Sequence, residues 1–335
     1  MFGRKFLLLT TALIAGGLAT AAYAADVKPA VIYDLGGKFD KSFNEGVFNG
    51  ATKFKKETGV DFRDLEIQNE AQREQVLRKF AKDGFSPIIM PGFAWATALG
   101  KVADEFPNTK FAIIDAFVDK PNVQSMNFRA DEGSFLVGVI ASETSKTGKV
   151  GFVGGMDIPL ISAFECGYAQ GVKYASGGKG EVIANMTGTT PAAWNDPVKG
   201  GELAKSQIDR GADIVYAAAG ATGQGVLKAA ADAGKFGIGV DSNQNGLFPG
   251  KVLTSMLKRV DVATYDSFMA AKNGTWKAGN TLFGLKNDGV GYAVDDNNKA
   301  ILSAAAKAKA EAAKADIVSG KIQVHDYMSD NKCPV

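Results

Sequence analysis

Short apolar runs alternate with segments of helical periodicity along this chain, and the alternation constrains the fold more than any other feature. The first half contains five such runs, rich in Val, Ile and Phe, at residues 31–35, 62–67, 87–90, 111–115 and 123–128. Between them, the spacing of apolar residues predicts helices near 43–57, 71–83 and 95–105. Such alternation is typical of βαβ units and predicts a parallel sheet.

The same pattern starts again after a helix predicted near 132–146. The second series has apolar runs at 150–154, 182–186, 214–218, 236–241 and 252–256, with helices near 160–175, 197–210 and 223–233. The two series are loosely alike, because one run in each ends in a carboxylate, Asp115 in the first and Asp241 in the second. The sequence therefore predicts an α/β protein with two doubly wound parallel sheets in tandem, one in each of two lobes.

The remaining elements are too few for a third domain. They are a helix near 261–272, a strand pair near 281–294, a Lys/Ala-rich helix near 298–317 and a final strand at 321–324. Assigning them to the two lobes requires several crossings of the chain, which make a hinge. We expect an N-terminal lobe of residues 26–128 plus 259–290 and a C-terminal lobe of residues 129–258 plus 291–335.

The first residues have the order of a secretory signal peptide. Arg4 and Lys5 precede an apolar run at 6–18, and small residues end at Ala24 before the charged Asp26. The run is too short and too interrupted by glycine and threonine to anchor the chain in a membrane. We therefore expect a signal peptide at residues 1–24, cleavage after Ala24, and a protein that is free in the periplasm.

The chain has two cysteines, Cys166 and Cys333. Both lie far from the expected cleavage point, which excludes a lipid anchor on an N-terminal Cys of the mature protein. In an oxidising compartment they either form one disulfide or remain two separate thiols, and their spacing leaves both outcomes open.

Charge and residue types exclude several classes of function. Residues 1–24 carry two basic and no acidic side chains, so the 36 acidic residues of the mature chain are balanced by as many basic ones. This neutrality argues against a nucleic acid as partner. The single histidine, His325, is predicted in the final strand and has the character of an ordinary surface residue. Because no cluster suits a metal and no nucleophile has a nearby base, we expect neither an enzyme nor a cofactor or metal site.

Candidate site residues follow the predicted strands, since ligands of open parallel sheets bind outside the carboxyl ends of the strands. These positions carry glycines, carboxylates and aromatic residues: Gly36, Gly37 and residues 40–44 after the first strand, then Asp115, residues 194–197, Gly220, Gly223, Asp241 and Lys258. The two loop glycines near 220 fit neither the dinucleotide nor the Walker pattern, so they predict a tight turn or a close approach of the backbone to a ligand.

Some of these residues have a structural explanation. Ser42 with Glu45 is a capping box, and Asp196 before a proline is an N-cap, so both segments could simply begin helices. Capping does not account for Phe43 and Trp194, two large aromatic residues at helix starts on the rim of the sheets. We therefore expect these two rings to contact a ligand.

Six stretches resemble the basic membrane protein family of substrate-binding proteins, which includes bacterial purine nucleoside receptors. They are DKSFN at 40–44, FAIID at 111–115, FRADEGSFL at 128–136, WNDP at 194–197, AAGATG at 218–223 and TSMLKRVD at 254–261. The resemblance runs through most of the mature chain in the family's order. It implies a type I periplasmic binding fold with a multi-crossing hinge, an ABC transporter permease as partner, and purine or other nucleosides as ligands.

Roles for single residues follow from the same resemblance. Phe43 resembles the ring that stacks on one face of the base, with Asn44 as a hydrogen-bonding neighbour, and Trp194 stands where the family commonly has Phe on the other face. Asp115 resembles the carboxylate at the base edge. Asp241 and Lys258 resemble the pair that holds the ribose hydroxyls, while Asp40 and Gly220 belong to the matching stretches. Phe164 also lies in a family-like stretch, but we expect it to pack in a core.

Physical chemistry supports a neutral and planar ligand. A π-face stacks only on a flat molecule, and ionised carboxylates accept hydrogen bonds but cannot donate them. Asp40, Asp115 and Asp241 outnumber Lys258, so a phosphate would meet net repulsion. The sequence therefore predicts a binding protein for a nucleoside and not for a nucleotide. It does not show the oligomeric state, for which a monomer is the default expectation.

Three alternative functions are compatible with parts of the sequence. The same fold could bind riboflavin or a pentose, because fold does not fix ligand. The chain could instead be a sensor subunit that presents its ligand to a membrane receptor. A transcription regulator with a similar two-lobed core is set aside, since the signal peptide stands where a DNA-binding head would be.

Overall fold

The computed structural model of the protein describes residues 27–335, and the predicted signal peptide lies outside the described residues. The strands in chain order are β1 (Ala30–Tyr33), β2 (Arg63–Glu66), β3 (Ile88–Pro91), β4 (Phe111–Ile114), β5 (Val123–Phe128), β6 (Lys149–Met156), β7 (Glu181–Gly188), β8 (Ile214–Ala218), β9 (Phe236–Asp241), β10 (Val252–Lys258), β11 (Gly279–Phe283) and β12 (Val290–Tyr292). The α-helices are α1 (Phe43–Thr58), α2 (Gln72–Lys82), α3 (Ala96–Glu105), α4 (Ala130–Thr144), α5 (Pro159–Ser176), α6 (Pro197–Asp209), α7 (Thr222–Asp232), α8 (Val260–Lys272) and α9 (Ala304–Val318). Of the helices from residue 27 onward, none is both long and apolar enough to span a bilayer.

The strands form two sheets of six with closely similar topology. The first has the order β2-β1-β3-β4-β5-β11, and the second has the order β7-β6-β8-β9-β10-β12. All pairings are parallel except that of β12 with β10. The predicted α/β fold with two doubly wound, mostly parallel sheets is therefore confirmed.

Each sheet is covered by helices on both faces, which explains why its central strands are apolar throughout. In β1, Ala30 and Ile32 belong to one core cluster, whereas Val31 and Tyr33 belong to the cluster on the opposite face. The second sheet likewise separates two clusters, the larger of which includes side chains of α4, α5 and α9. Each sheet and its helices therefore make a separate lobe.

The chain crosses between the lobes three times, as the predicted hinge requires. It passes to the second lobe after β5, returns after β10 and leaves again between β11 and β12. The crossing segments contact one another, because the backbone N–H of Arg129 donates to Phe283 O at 2.7 Å and that of Arg259 donates to Gly289 O at 2.9 Å. From these crossings we propose lobes of residues 26–128 plus 259–290 and 129–258 plus 291–335.

Three details of the C-terminal third differ from the sequence-based expectation. The strand pair predicted near 281–294 is wrong, since β11 and β12 lie in different sheets and the intervening residues form the third crossing. The Lys/Ala-rich helix begins later than predicted, because Ser303 Oγ accepts a hydrogen bond from Ala306 N and caps it there. Residues 321–324 form no strand.

The C-terminal segment is held by side chains and not by a sheet. Its backbone at His325 exchanges two hydrogen bonds with the Gln170 amide, at 2.9 and 3.0 Å, so the predicted placement of His325 in a strand is also wrong. A disulfide joins Cys166 in α5 to Cys333, so of the two outcomes that the spacing left open, the structure has the bridge and not two separate thiols. These contacts fasten the end of the chain to the second lobe.

We expect this disulfide to contribute substantially to stability, because it closes a loop with a sequence separation of 167 residues. Cys333 is exposed, so Cys333→Ser removes the bridge without placing a new polar group in a core. The free energy of unfolding in urea should fall by about 2–5 kcal/mol relative to the wild type. Reduction of the wild type should give the same shift, and an unchanged midpoint in both cases would contradict the prediction.

Candidate ligand-binding site

A cavity of about 230 Å³ lies between the two lobes, at the carboxyl ends of both sheets. This is the location that open parallel sheets favour for ligands. Nine of the candidate site residues line it: Gly36, Asp40, Phe43, Asn44, Asp115, Trp194, Gly220, Asp241 and Lys258. The structure thus brings together side chains that are up to 218 positions apart in the chain.

The loop between β1 and α1 carries Phe43 into this cavity, and Asp40 organises that loop. Asp40 Oδ1 accepts hydrogen bonds from the backbone N–H groups of Ser42 at 2.8 Å and Glu45 at 3.1 Å, and its Oδ2 accepts from Asn44 N at 2.9 Å. Asp40 therefore satisfies the free N–H groups at the start of α1. Because it bonds to the backbone on both sides of Phe43, the Asp40 carboxylate has a structural role in positioning the Phe43 ring.

The capping box predicted for Ser42 and Glu45 is wrong, because both side chains bond elsewhere. Ser42 Oγ lies 2.5 Å from Asp241 Oδ2 in the second lobe, and donates to it. Glu45 Oε2 accepts from the backbone N–H of Lys41 at 3.1 Å. With Asp40 already at the N–H groups, Ser42 is free to contact the other lobe.

Asp115 and Asp241 occupy equivalent places at the ends of β4 and β9. Both have left-handed backbone conformations, with φ of 68° and 61° respectively. A non-glycine residue in this region stores strain, and such strain is concentrated at functional sites. The shared conformation places one carboxylate from each lobe at the cavity.

Lys258 joins the two halves of the site. It ends β10 in the second lobe and is 2 % exposed, and its Nζ lies 2.6 Å from Asp115 Oδ2 of the first lobe. The ammonium group also lies 4.8 Å from the ring centre of Phe43, 5.3 Å from that of Phe128 and 5.5 Å from that of Phe164. The direct partner of Lys258 is thus Asp115, whereas Asp241 bonds to Ser42.

Phe164 contributes both to a core and to the cavity wall. It packs in the larger core of the second lobe, as expected, but it also lines the cavity. Its ring and that of Phe128 complete an aromatic surround for the Lys258 ammonium group, a geometry that is electrostatically favourable.

Trp194 lines the cavity from the second lobe and rests on glycine. A Cβ atom built on Gly155, near the end of β6, would lie 2.3 Å from an indole ring carbon, so only glycine leaves room for this ring. Gly220, with φ of 57°, lies against the Trp194 backbone.

Asp196 caps α6 as predicted, since its Oδ1 accepts from Lys199 N at 2.9 Å. Phe43 packs on the core of the first lobe and Trp194 on that of the second, so the two rings reach the cavity from opposite sides.

The cavity is also lined by a charged cluster that the sequence analysis does not predict. There Arg73, in α2, donates to both oxygens of Asp34 at 2.8 and 3.1 Å and to Glu70 at 3.2 Å. Asp34 directly follows β1, so the rule that singled out Asp115 and Asp241 could have found it. Arg73 carried no signal, because a basic residue on a helix is ordinarily a surface residue.

The charges around the cavity are mostly negative. Five carboxylic side chains and two cationic ones line it: Asp34, Asp40, Glu70, Asp115 and Asp241 against Arg73 and Lys258. An anionic ligand would therefore meet net repulsion, whereas hydrogen-bond donors would find acceptors. Among residues 27–335, no group of three or more His, Cys, Asp or Glu side chains is arranged to hold a metal ion.

Burial perturbs the two innermost carboxyl groups. It raises the pKa of Asp40 to about 7, with backbone donors opposing the rise and the charge of Asp241 adding to it. Burial also raises the pKa of Asp241, against the opposing effects of Lys258 and Ser42. Burial therefore opposes the ionisation of both carboxyl groups, and the hydrogen bonds that they accept offset only part of this effect.

The chain is similar to known proteins in both sequence and fold. Residues 27–327 match the sequence model of a family described as ABC transporter substrate-binding protein, PnrA-like. The chain is 35% identical to an uncharacterised lipoprotein of Pyrococcus abyssi over 83% of its own length and 72% of that relative. It is 30% identical to the ABC transporter nucleoside-binding protein BmpA of Lactococcus lactis over 89% of both chains. Its fold matches a solute-binding protein of an Aeropyrum pernix ABC transporter system with a TM-score of 0.83 and 30% identity, covering 90% of this chain and 93% of the other.

The raised pKa of Asp40 predicts a pH-dependent stability. Between about pH 4 and pH 7 the folded protein holds a proton that the unfolded chain has released, so the free energy of unfolding falls as the pH rises through this window. Urea unfolding should show the wild type losing stability relative to Asp40→Asn between these pH values. Asp196→Asn, at an exposed helix cap, is the matched control, and a gain of wild-type stability relative to Asp40→Asn would contradict the prediction.

Proposed function

Because the chain belongs to the family of PnrA-like substrate-binding proteins of ABC transporters, we propose that it captures a purine nucleoside between its lobes and delivers it to the permease of an importer. One observation carries the proposal: Phe43 and Trp194 line a single cavity from opposite lobes, with Asp115 and Asp241 beside them. The L. lactis relative is named a nucleoside-binding protein, which supports the same ligand class.

Two aromatic rings favour a planar ligand. Stacking on an aromatic side chain contributes about 1–3 kcal/mol per base, and it needs a π-face on both partners. A sugar alone would gain less from Phe43 and Trp194. A base that is held between them would leave its ribose free to reach Asp241 and Lys258.

The polar groups favour a neutral ligand that donates hydrogen bonds. Asp115 and Asp241 accept when ionised, which suits the N–H groups of a base and the hydroxyl groups of a ribose. A ligand hydroxyl that donates to Asp241 also compensates for the burial that raises the pKa of this carboxyl group. A phosphate would instead add negative charge to a cavity that already has an excess of carboxylates.

The size of the cavity favours a compact ligand. Its volume of about 230 Å³ lies below the roughly 300–1,000 Å³ that is typical of sites for drug-sized molecules. A nucleoside suits this volume better than riboflavin, whose three-ring system and ribityl chain require more room. Riboflavin and pentoses are therefore the informative competitors in a binding screen.

Binding is expected to favour the closed arrangement of the lobes. Phe43 and Asp115 belong to the first lobe, whereas Trp194 and Asp241 belong to the second, so a ligand contacts all four only when the lobes are close together. The permease would recognise this closed form.

We further propose that the protein acts in the periplasm as a monomer, after cleavage of a signal peptide following Ala24. We also propose that it has no membrane anchor of its own and that it catalyses no reaction.

Substitutions on the second lobe test the placement of the ligand. Trp194→Ala and Asp241→Ala should each weaken nucleoside binding at least tenfold, or about 1.4 kcal/mol, because each removes a contact from one side of the ligand. Isothermal titration calorimetry with adenosine and guanosine measures the dissociation constants. Trp194→Phe keeps a stacking ring and should retain most of the affinity, whereas wild-type affinity in Trp194→Ala would place the ligand elsewhere.

The charge of the cavity predicts discrimination against nucleotides. Calorimetry should show adenosine binding more tightly than adenosine monophosphate, with the free base adenine as a control for the contribution of the ribose. Tighter binding of the monophosphate would overturn the assignment of a neutral ligand. Preferential binding of riboflavin or of a pentose would retain the transport function and replace the ligand.

A further inference from the structure

Three consecutive backbone carbonyl groups of the first lobe each accept a hydrogen bond from a side chain of the second. Asp40 O accepts from Gln224 Nε2 at 3.4 Å, Lys41 O from Gln244 Nε2 at 2.9 Å and Ser42 O from Ser242 Oγ at 2.7 Å. Lys41 has a φ of 62°, a left-handed turn within this strip of three carbonyl groups. We call these three hydrogen bonds the closure contact.

The three donor residues of the closure contact lie beside the ligand cavity and not in it. Gln224, Ser242 and Gln244 do not line the cavity, and Gln244 is only 2 % exposed. The Gln244 amide is fixed in one orientation, because its Oε1 accepts from Val240 N at 2.9 Å within the second lobe. Its Nε2 is thereby directed at the first lobe as a preformed donor.

Ser42 connects the closure contact to the cavity through its side-chain hydrogen bond. Ser42 accepts from Ser242 through its backbone carbonyl, and its hydroxyl donates to Asp241 Oδ2 at 2.5 Å. Ser42 is fully buried between the lobes, and Asp241 lines the cavity. Closing the lobes therefore makes the hydrogen bonds of Ser42 at the same time as it positions Asp241.

We propose that Gln224, Ser242 and Gln244 are positioning residues that stabilise the closed form whether or not a ligand is bound, and so determine how long a ligand is retained. Their effect on retention rests on the proposed function, whereas their effect on closure does not. Because the acceptors are backbone carbonyl groups, the three side chains of the second lobe determine the strength of the contact.

Gln244→Glu is the sharpest variant. One carboxylate oxygen can still accept from Val240 N, so the contact within the second lobe is kept, while the other oxygen replaces the donor and faces Lys41 O. Ser242→Ala is the second variant, and it removes one donor without adding charge. Gln75→Glu makes the same chemical change at an exposed position of α2 and is the matched control.

Closure is measured first, without any ligand. Spin labels on Lys82→Cys and Lys205→Cys, both exposed and in different lobes, report the distance between the lobes by double electron–electron resonance. The wild type and Gln75→Glu should show a population at the closed distance, and Gln244→Glu should reduce it at least threefold. Absence of that population in the wild type, or equal populations in all variants, would overturn the proposal.

Retention is measured next, with adenosine in stopped-flow experiments on tryptophan fluorescence. Gln244→Glu and Ser242→Ala should raise the dissociation rate at least fivefold and change the association rate less than twofold, with thermal unfolding midpoints close to that of Gln75→Glu. Unchanged dissociation in both variants would refute the role in retention. A wild type that does not bind adenosine would count against the proposed function alone, because the distance measurement stands without it.

Discussion

The buried ion pair between Lys258 and Asp115 is the interaction on which the arrangement of the two lobes depends. Its partners come from different sheets, and their side chains are 2 % and 6 % exposed. Removing charges from water costs several kcal/mol per ion, and a buried charge without a partner is strongly destabilising. The lobes therefore either meet closely enough to pair these groups or separate enough to hydrate them. The rings of Phe43, Phe128 and Phe164 around the ammonium group favour the paired arrangement.

The repetition of one topology in two sheets explains how a site forms around this pair. Each sheet presents the carboxyl ends of its strands to the other, and each contributes an aromatic side chain and a carboxylate. Asp115 and Asp241 have the same strained, left-handed backbone conformation at equivalent strand ends. The two halves of the cavity therefore share one local backbone geometry. Ser42 adds a hydrogen bond between the lobes because Asp40 has taken over the capping of α1.

The sequence predicted the fold and the residues that line the cavity better than it predicted the hydrogen-bond partners of these residues. Strand ends are readable from apolar periodicity, so the sequence places Asp115, Asp241 and Lys258 at the carboxyl ends of strands in the two sheets. Hydrogen-bond partners between lobes depend on the angle at the hinge, which no local pattern encodes. That is why the sequence indicates a cap at Ser42, identifies no partner for Lys258 in the other lobe, and gives no signal for Arg73. Residues 321–324 have the composition of a strand, but they form none in the described structure, and the neighbouring backbone at His325 bonds to Gln170 instead.

A crystal structure of the protein grown with guanosine tests the central claim most directly. The account predicts a purine ring between the side chains of Phe43 and Trp194, with the ribose hydroxyl groups within hydrogen-bonding distance of Asp241 or Lys258. Guanosine bound outside this cavity, or a cavity occupied by a co-purified molecule without a planar ring, would contradict it.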